Sequence, residues 1–193
     1  MSDPPHAAPP PPEPNPPHNK ARAHNSGTRR GRLRRLGLEL LVIVAIVLAL
    51  QAYLKRDMAL GTAPEFSAER LDGQTVSLND YAGAPMVLHF WATWCGICRL
   101  EQGMIETLAR DHPVLTIAMA SGSAAEVQAY LAEHGLRFAV INDPHRALAE
   151  RYGVPAVPAT FVINGDGDIR FRVRGLATGP GLRLRLWLTR FGL

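Results

Sequence analysis

Short apolar runs alternate with amphipathic segments over the second half of the chain. The apolar runs predict buried strands at 86–90, 114–120 and 138–143. The segments between and after them predict helices at 96–110, 123–135 and 146–153. The runs 159–163 and 169–175 flank the turn NGDGD and predict a hairpin. Strands that alternate with helices and end in a hairpin indicate an α/β sandwich with a central mixed sheet.

The spacing of apolar residues supports the helix predicted at 96–110. In the helix at 96–110, the apolar residues that recur at this spacing are Ile97, Leu100, Met104 or Ile105, and Leu108. The closing stretch PGLRLRLWLTRFGL fits a strand by its alternating leucines, but it also fits a helix. We predict a helix, whose shared apolar face would consist of Leu184, Trp187, Leu188 and Phe191.

The most apolar segment of the chain is LGLELLVIVAIVLALQAYL at 36–54, with Glu39 as its single charge. Nineteen residues in a helix span roughly 28 Å, close to the hydrocarbon thickness of a bilayer. We therefore predict a transmembrane helix, because no polar face is present that would suit a helix of a water-soluble domain. A cleaved signal peptide is the competing interpretation, but the preceding segment is long and offers no clean Ala-x-Ala site.

Charge around this helix predicts its orientation. Five arginines lie in RRGRLRR at 29–35, whereas Lys55 and Arg56 on the other side are partly offset by Asp57. The positive-inside rule then places the N-terminus in the cytoplasm and the rest of the chain in the periplasm, in a single-pass inner-membrane protein. The domains expected are a disordered tail (1–35), the membrane helix (36–54), a linker (55–61) and a folded domain (62–193).

Composition supports the disordered tail and argues against a nucleic-acid partner. Nine of the sixteen prolines lie in residues 1–17, where few apolar side chains could offset the entropy of ordering. Residues 1–38 hold seven Lys or Arg against two acids, while the remainder holds 14 against 15. The overall net charge of +4 is thus confined to the tail, and the folded part shows no basic excess.

The chain has two cysteines, Cys95 and Cys98, within WATWCGIC. A structural disulfide that closes so short a loop would add little stability. A zinc site needs four ligands, and no second cysteine pair is present. We therefore favour a redox pair over a two-thiolate site for copper(I), and we expect no cofactor and no resident metal.

The predicted elements place the pair where a strand ends and a helix begins. At that point Cys95 meets the free N–H groups of the first helical turn, which favour thiolate over thiol. Cys98, one turn later, should point inward. Cys95 is then the candidate nucleophile and Cys98 the resolving thiol.

Two stretches carry a resemblance to a known family: APEFSAERLDGQTVSLNDYAGAPMVLHFWATWCGICRLE and YGVPAVPATFVINGDGDI. They resemble thioredoxin-fold proteins, specifically the membrane-anchored TlpA/DsbE-like thiol-disulfide oxidoreductases. The resemblance covers residues 62–193. The final GLRLRLWL and the SG after AMA are most similar to the D-type protein disulfide oxidoreductases named for suppression of copper sensitivity.

The resemblance implies a thioredoxin fold, a leading hairpin and further site residues. Its loop proline falls on Pro158, which in the family follows a cis peptide, and the backbone of Val157 would pair with the bound substrate chain. Trp94, partly exposed, would contact the partner protein together with Gly96 and Ile97 between the cysteines.

Two ionisable residues near the pair leave alternatives open. Glu101 lies three residues after Cys98 on the same helical face and matches a carboxylate that several relatives carry, so it is either a proton shuttle for Cys98 or a solvated helix residue. His89 lies six residues before Cys95, where cytoplasmic thioredoxins have a buried acid. It is either a base or a hydrogen-bonded core histidine.

The expected activity is protein thiol-disulfide exchange. With no third cysteine, electrons must come from another protein, and we expect a membrane-embedded redox partner. Relatives of this type mostly act as reductants, so we expect reduction of disulfides in exported proteins, including those induced by copper. The alternatives are a disulfide-forming oxidase with the same pair and a copper(I)-binding protein.

Overall fold

The computed structural model describes residues 27–192 of the 193-residue chain. The proline-rich part of the predicted tail, residues 1–26, lies outside the described residues. The chain divides into two units, Met1–Ala45 and Ile46–Leu193. Helix α1 spans Gly27–Lys55, so it begins ahead of the predicted start at residue 36, and residues 27–35 are helical rather than part of a disordered tail.

The described side chains of α1 from Leu36 to Leu50 are all exposed. Within the part of the chain that the structure describes, no helix combines the length and the apolar character that a membrane crossing requires.

The folded domain contains a six-stranded mixed sheet. Its strands, in chain order, are β1 (Gly61–Thr62), β4 (Met86–Trp91), β5 (Val114–Met119), β6 (Ala139–Asp143), β7 (Ala159–Ile163) and β8 (Asp168–Arg174). Their spatial order is β1-β8-β7-β4-β5-β6. Strand β4 pairs in parallel with β5 and antiparallel with β7, which makes it central to the sheet. A separate hairpin of β2 (Ser67–Glu69) and β3 (Thr75–Ser77) lies between β1 and β4 in the chain and is followed by a 3₁₀ helix at Leu78–Tyr81.

Four helices follow from the pattern of apolar residues and their caps. They are α2 (Gly96–Asp111), α3 (Ala124–His134), α4 (Ala147–Arg151) and α5 (Gly179–Arg190). Helix α3 begins with the predicted capping box of Ser123 and Glu126 and ends at Gly135, whose left-handed backbone suits glycine. The predicted mixed α/β sheet, the terminal hairpin and the C-terminal helix are confirmed.

The core has two parts, one on each face of the sheet. Alternation along β4 sends Leu88 and Phe90 to the face covered by the N-terminal hairpin region and α4. Val87 and Trp91 point to the opposite face, where they pack with side chains of α2, α3 and α5. The cysteine pair belongs to this second part of the core.

Residues 58–61 are part of the domain, which corrects the predicted linker at 55–61. Met58 is buried, the amide of Ala59 donates to the carbonyl of Tyr152 at 3.0 Å, and Gly61 pairs with β8. Gly153 allows this close approach, because a Cβ there would overlap the carbonyl group of Asp57. Gly153 also has a positive φ of 62°, which favours glycine independently.

The buried face of α5 differs from the predicted one. Leu182, Leu186 and Thr189 face the core, whereas Leu184, Trp187 and Phe191 of the predicted face are more than half exposed. The helix was predicted correctly, but leucines occur on both of its sides, so spacing alone could not identify the side that meets the sheet.

Candidate active site at the start of α2

The cysteine pair lies directly after the central strand. Strand β4 ends at Trp91, the chain turns over residues 92–95, and α2 begins at Gly96. Cys95 and Cys98 are joined by a disulfide. Cys95 retains 7% of its surface exposed and Cys98 retains none. An attacking group from outside can therefore reach the sulfur of Cys95 and not that of Cys98.

Cys95 is the N-cap of α2. Its sulfur accepts a hydrogen bond from the amide of Cys98 at 3.2 Å, and its backbone is extended, as an N-cap requires. The positive end of the helix dipole and this amide both stabilise negative charge on the sulfur. The predicted placement of Cys95 at the helix start and of Cys98 facing inward is what the structure shows.

The proline loop faces the pair. The peptide bond between Val157 and Pro158 is cis, and the Val157 carbonyl oxygen lies 3.9 Å from the sulfur of Cys95. Pro158 is buried, and its carbonyl accepts a hydrogen bond from Gly175 at 2.8 Å. This bond anchors the loop to the end of β8, next to the disulfide.

Apolar side chains surround the pair on the solvent side. Trp94, Ile97 and Leu100 are exposed by 63%, 54% and 77%. The apolar spacing that predicted α2 thus includes two residues, Ile97 and Leu100, that the helix leaves exposed. We call these three residues the apolar rim. Trp94 is held in place by a hydrogen bond from its ring Nε1 to the carbonyl of Ala120 at 2.9 Å, and Gly96 is exposed between the cysteines.

The buried face of α2 carries polar groups next to Cys98. Glu101 and Gln102 are buried together with Cys98, Ile105 and Leu108. Glu101 is only 2% exposed, so it is not a solvated helix residue. Its Oε2 accepts a hydrogen bond from the amide of Ala177 at 2.8 Å. Burial raises the pKa of Glu101 to about 7, although the Ala177 bond acts in the opposite direction.

His89 lies beneath the same part of α2. Its Nδ1 is 3.0 Å from the hydroxyl of Thr160 on the neighbouring strand β7, and its Nε2 is 3.5 Å from Oε1 of Glu101. Burial lowers the pKa of His89 to about 3, so the imidazole is neutral at physiological pH. The prediction of a hydrogen-bonded core histidine is thus met, and the contact with Glu101 adds a polar partner that the sequence did not show.

Sequence reasoning missed the groups that orient these side chains. Thr160 could have been found, since it follows Pro158 by two residues and antiparallel pairing of β7 with β4 sets it opposite His89. The Ala177 amide gave no signal, because any residue type supplies a backbone N–H. Ser121 was also missed as a partner, and its hydroxyl accepts a hydrogen bond from the amide of Thr93 at 3.1 Å.

No group of three or more metal-ligating side chains occurs among residues 27–192. The two sulfurs are joined to each other here, so only the reduced pair could offer thiolates to a soft metal ion.

The chain is similar in sequence and in fold to known proteins. A thioredoxin-like protein of Haemophilus influenzae is 30% identical over 162 residues, which cover 83% of this chain and 96% of the relative. The thiol-disulfide oxidoreductase ResA of Oceanobacillus iheyensis is 28% identical over 75% of this chain and 81% of its own. A secreted Mycobacterium tuberculosis disulfide oxidoreductase homologous to E. coli DsbE superimposes with a TM-score of 0.56 at 26% identity, covering 64% of this chain and 95% of that chain.

These relatives are named thiol-disulfide oxidoreductases, and this chain shares their fold. Together with the disulfide at the start of α2, this supports the conclusion that the protein is a thiol-disulfide oxidoreductase. Residues 61–172 match the AhpC/TSA family, which is more than half of the chain, so the chain belongs to that family. The resemblance to thioredoxin-fold oxidoreductases of the DsbE type is confirmed at this level. The finer assignment to the copper-sensitivity subgroup stays a prediction.

The raised pKa of Glu101 predicts a pH dependence of stability. Because the folded carboxyl has a pKa near 7 and the unfolded one near 4.5, the folded state binds more protons between these values. The stabilising contribution is complete below about pH 4.5 and is lost as the pH rises through about 7, with a total of about 3 kcal/mol. Urea unfolding of the oxidised protein across this range measures it.

Glu101→Gln is the matched control, because the amide cannot ionise. The difference in unfolding free energy between wild type and Glu101→Gln should change across pH 4.5–8 by about that amount. A difference that stays constant over the whole range would show that Glu101 titrates as an ordinary exposed carboxyl.

Proposed function

We propose that this protein is a membrane-anchored, extracytoplasmic oxidoreductase that reduces disulfides of exported proteins through Cys95 and Cys98. One observation carries the proposal: the two cysteines form a disulfide in which Cys95 reaches the surface at a helix N-terminus and Cys98 is buried one turn below. A disulfide with one accessible and one inaccessible sulfur suits a pair in which one residue attacks and the other resolves.

The reaction has two exchange steps. The thiolate of Cys95 attacks one sulfur of the substrate disulfide, that bond breaks, and the departing substrate thiolate takes up a proton from solvent. Cys98 then loses its proton and attacks the sulfur of Cys95, which forms the Cys95–Cys98 bond and releases the second substrate thiolate, in turn protonated. The substrate gains two electrons and two protons, and the pair loses them. A membrane-embedded dithiol protein would return the electrons.

The second step needs a base at a buried position. Cys98 has no exposed surface, so water cannot readily take its proton. Glu101 lies one turn further along the same buried face of α2 and has a pKa near 7. A base with a pKa close to the working pH both accepts and returns a proton efficiently. We assign Glu101 as the acceptor of the Cys98 proton.

The apolar rim is the proposed docking surface for the substrate. Trp94, Ile97 and Leu100 leave much apolar area in water around Cys95, and burial of that area against a partner would contribute to binding. The nearby backbone of Val157 would pair with an extended substrate segment on the other side of the disulfide. A disulfide exposed in an incompletely folded protein offers both features, extended backbone and apolar side chains.

The anchor and the topology are proposed from the sequence, since the described residues do not by themselves provide a membrane-spanning helix. The segment 36–54 has one charge and follows a run with five arginines. The catalytic domain would then lie in the periplasm, where a reductant needs a supply of electrons from the membrane.

The roles of the two cysteines can be separated by trapping. In Cys98→Ser the mixed disulfide cannot be resolved, so substrates should accumulate on Cys95 as adducts that a reductant releases. Cys95→Ser is the matched control and should form at least tenfold fewer adducts, since Cys98 is buried. Non-reducing electrophoresis of cells that express each variant gives the comparison. Equal trapping by the two variants would contradict the assigned roles.

Membrane attachment is tested by alkaline extraction of membranes. The full chain should remain in the membrane pellet after carbonate washing, because a spanning helix resists release. A form that begins at Asp57 behind a cleavable signal should be released. N-terminal sequencing of the mature protein checks the alternative, and a mature chain that begins after residue 50 would mean that 36–54 is a signal peptide.

The direction of electron flow is tested by the redox state of the pair in cells. We expect acid quenching followed by alkylation to show two free thiols, because the electron donor keeps the pair reduced. A strain that lacks the membrane electron supply should show the disulfide. A pair found oxidised in the presence of that supply would favour a disulfide-forming oxidase, which the thiolate-stabilising position of Cys95 would also suit.

A further inference from the structure

His89 and Glu101 face each other in the core, and among residues 27–192 the facing atoms have no other partner. Within the described residues, Nε2 of His89 and Oε1 of Glu101 are buried and lack a hydrogen bond. Their separation of 3.5 Å is too short for an intervening water and slightly too long for a formed hydrogen bond. An unpaired buried polar atom is costly, and here one small closing movement would pair both atoms at once.

Thr160 is placed to influence which ring nitrogen of His89 carries the proton. The hydroxyl of Thr160 lies 3.0 Å from Nδ1, and both residues are buried on adjacent strands. When this hydroxyl donates to Nδ1, the proton of the neutral imidazole resides on Nε2. The N–H then points at Glu101. The other oxygen of Glu101 already accepts from the Ala177 amide, so the carboxylate would have two donors.

We propose that His89 is a positioning residue that donates a hydrogen bond from Nε2 to Glu101 and so keeps Glu101 in the carboxylate form that takes the proton of Cys98. This inference rests on the proposed exchange reaction. The interacting side chains run from β7 through β4 to α2. Thr160 orients His89, His89 stabilises the carboxylate of Glu101, and Glu101 accepts the proton of Cys98. His89 itself stays neutral and exchanges no proton with the substrate.

The surroundings of the pair leave few competing charges. From α2, Cys98 and Gln102 share the buried face with Glu101, and Gln102 accepts a hydrogen bond from Tyr130 of α3 at 3.0 Å. From β5, Thr116 pairs with His89 in the sheet register, and its hydroxyl donates to a backbone carbonyl.

Helix α5 adds no charge to this region. It contributes Leu182 and Leu186 to this part of the core, while its Arg183 pairs with Asp111 at the surface, 3.4 Å away. Apart from the surface pair of Arg183 and Asp111, the other ionisable side chains among the groups named are Cys98 and Tyr130. Of these two, Cys98 is the residue whose proton Glu101 accepts.

The test follows the titration of Glu101 directly. The full chain in detergent micelles is labelled with ¹³C at the glutamate carboxyl carbons, and the resonance of Glu101 is assigned by its loss in Glu101→Gln. The midpoint is measured in the oxidised protein for wild type, His89→Leu, His89→Gln and Thr160→Val. The pH profile of kcat/KM for insulin disulfide reduction is recorded for the same set.

Loss of the donor should raise the midpoint of Glu101, because a hydrogen bond to the charged form stabilises that form. We expect His89→Leu to raise the midpoint of Glu101 by about one pH unit or more. The lower-pH midpoint of the kcat/KM profile should shift to higher pH by the same amount. His89→Gln restores an N–H at similar reach and should return both values close to wild type. Thr160→Val should give a smaller upward shift, since the imidazole can still adopt the Nε2–H form.

The outcomes separate this inference from the proposed function. If the midpoint of Glu101 is the same in His89→Leu as in wild type, His89 does not stabilise the carboxylate and the inference is overturned. If His89→Leu does not fold, Thr160→Val decides, with a raised midpoint in support and an unchanged one against. If the wild type does not reduce insulin, the proposed function fails, while the titration of Glu101 still decides the role of His89.

Discussion

The structure depends on a single capping contact, the hydrogen bond from the amide of Cys98 to the sulfur of Cys95. It places the first cysteine at the N-terminus of α2, where the free N–H groups and the helix dipole favour negative charge. Both features stabilise the thiolate of Cys95 relative to the thiol in the reduced protein. The same contact lies in the turn between the central strand β4 and α2. It therefore helps to fix both the path of the chain and the position of the disulfide.

Helix α2 has polar residues on part of its buried face and apolar residues on part of its exposed face. Glu101 and Gln102 lie inside, while Ile97 and Leu100 lie outside. This arrangement costs stability, because buried polar groups need partners and exposed apolar groups gain nothing from water. A site for protein substrates benefits from both features. The exposed side chains give a partner something to bury, and the enclosed carboxyl has a pKa close to neutral.

The sequence predicted the sheet and its helices because these follow from local patterns. The apolar run of β4, the capping box at Ser123 and Glu126, and the turn after β7 are all contained within a few residues. The buried sides of α2 and α5 do not follow from spacing alone, because apolar residues occur on both the buried and the exposed sides of these helices. The surroundings of Glu101 could not be predicted either. Its partner is the backbone amide of Ala177, 76 residues away along the chain, and only the fold brings the two together.

The central claim is that Cys95 is an accessible, activated thiol and Cys98 a buried one. The most direct test is the rate of alkylation of the fully reduced protein by iodoacetamide as a function of pH, with the modified residue identified by mass spectrometry. The account predicts that Cys95 reacts first and that its rate rises with a midpoint below the value of about 8.5 for a free cysteine. Initial modification of Cys98, or a midpoint for Cys95 at or above 8.5, would contradict it.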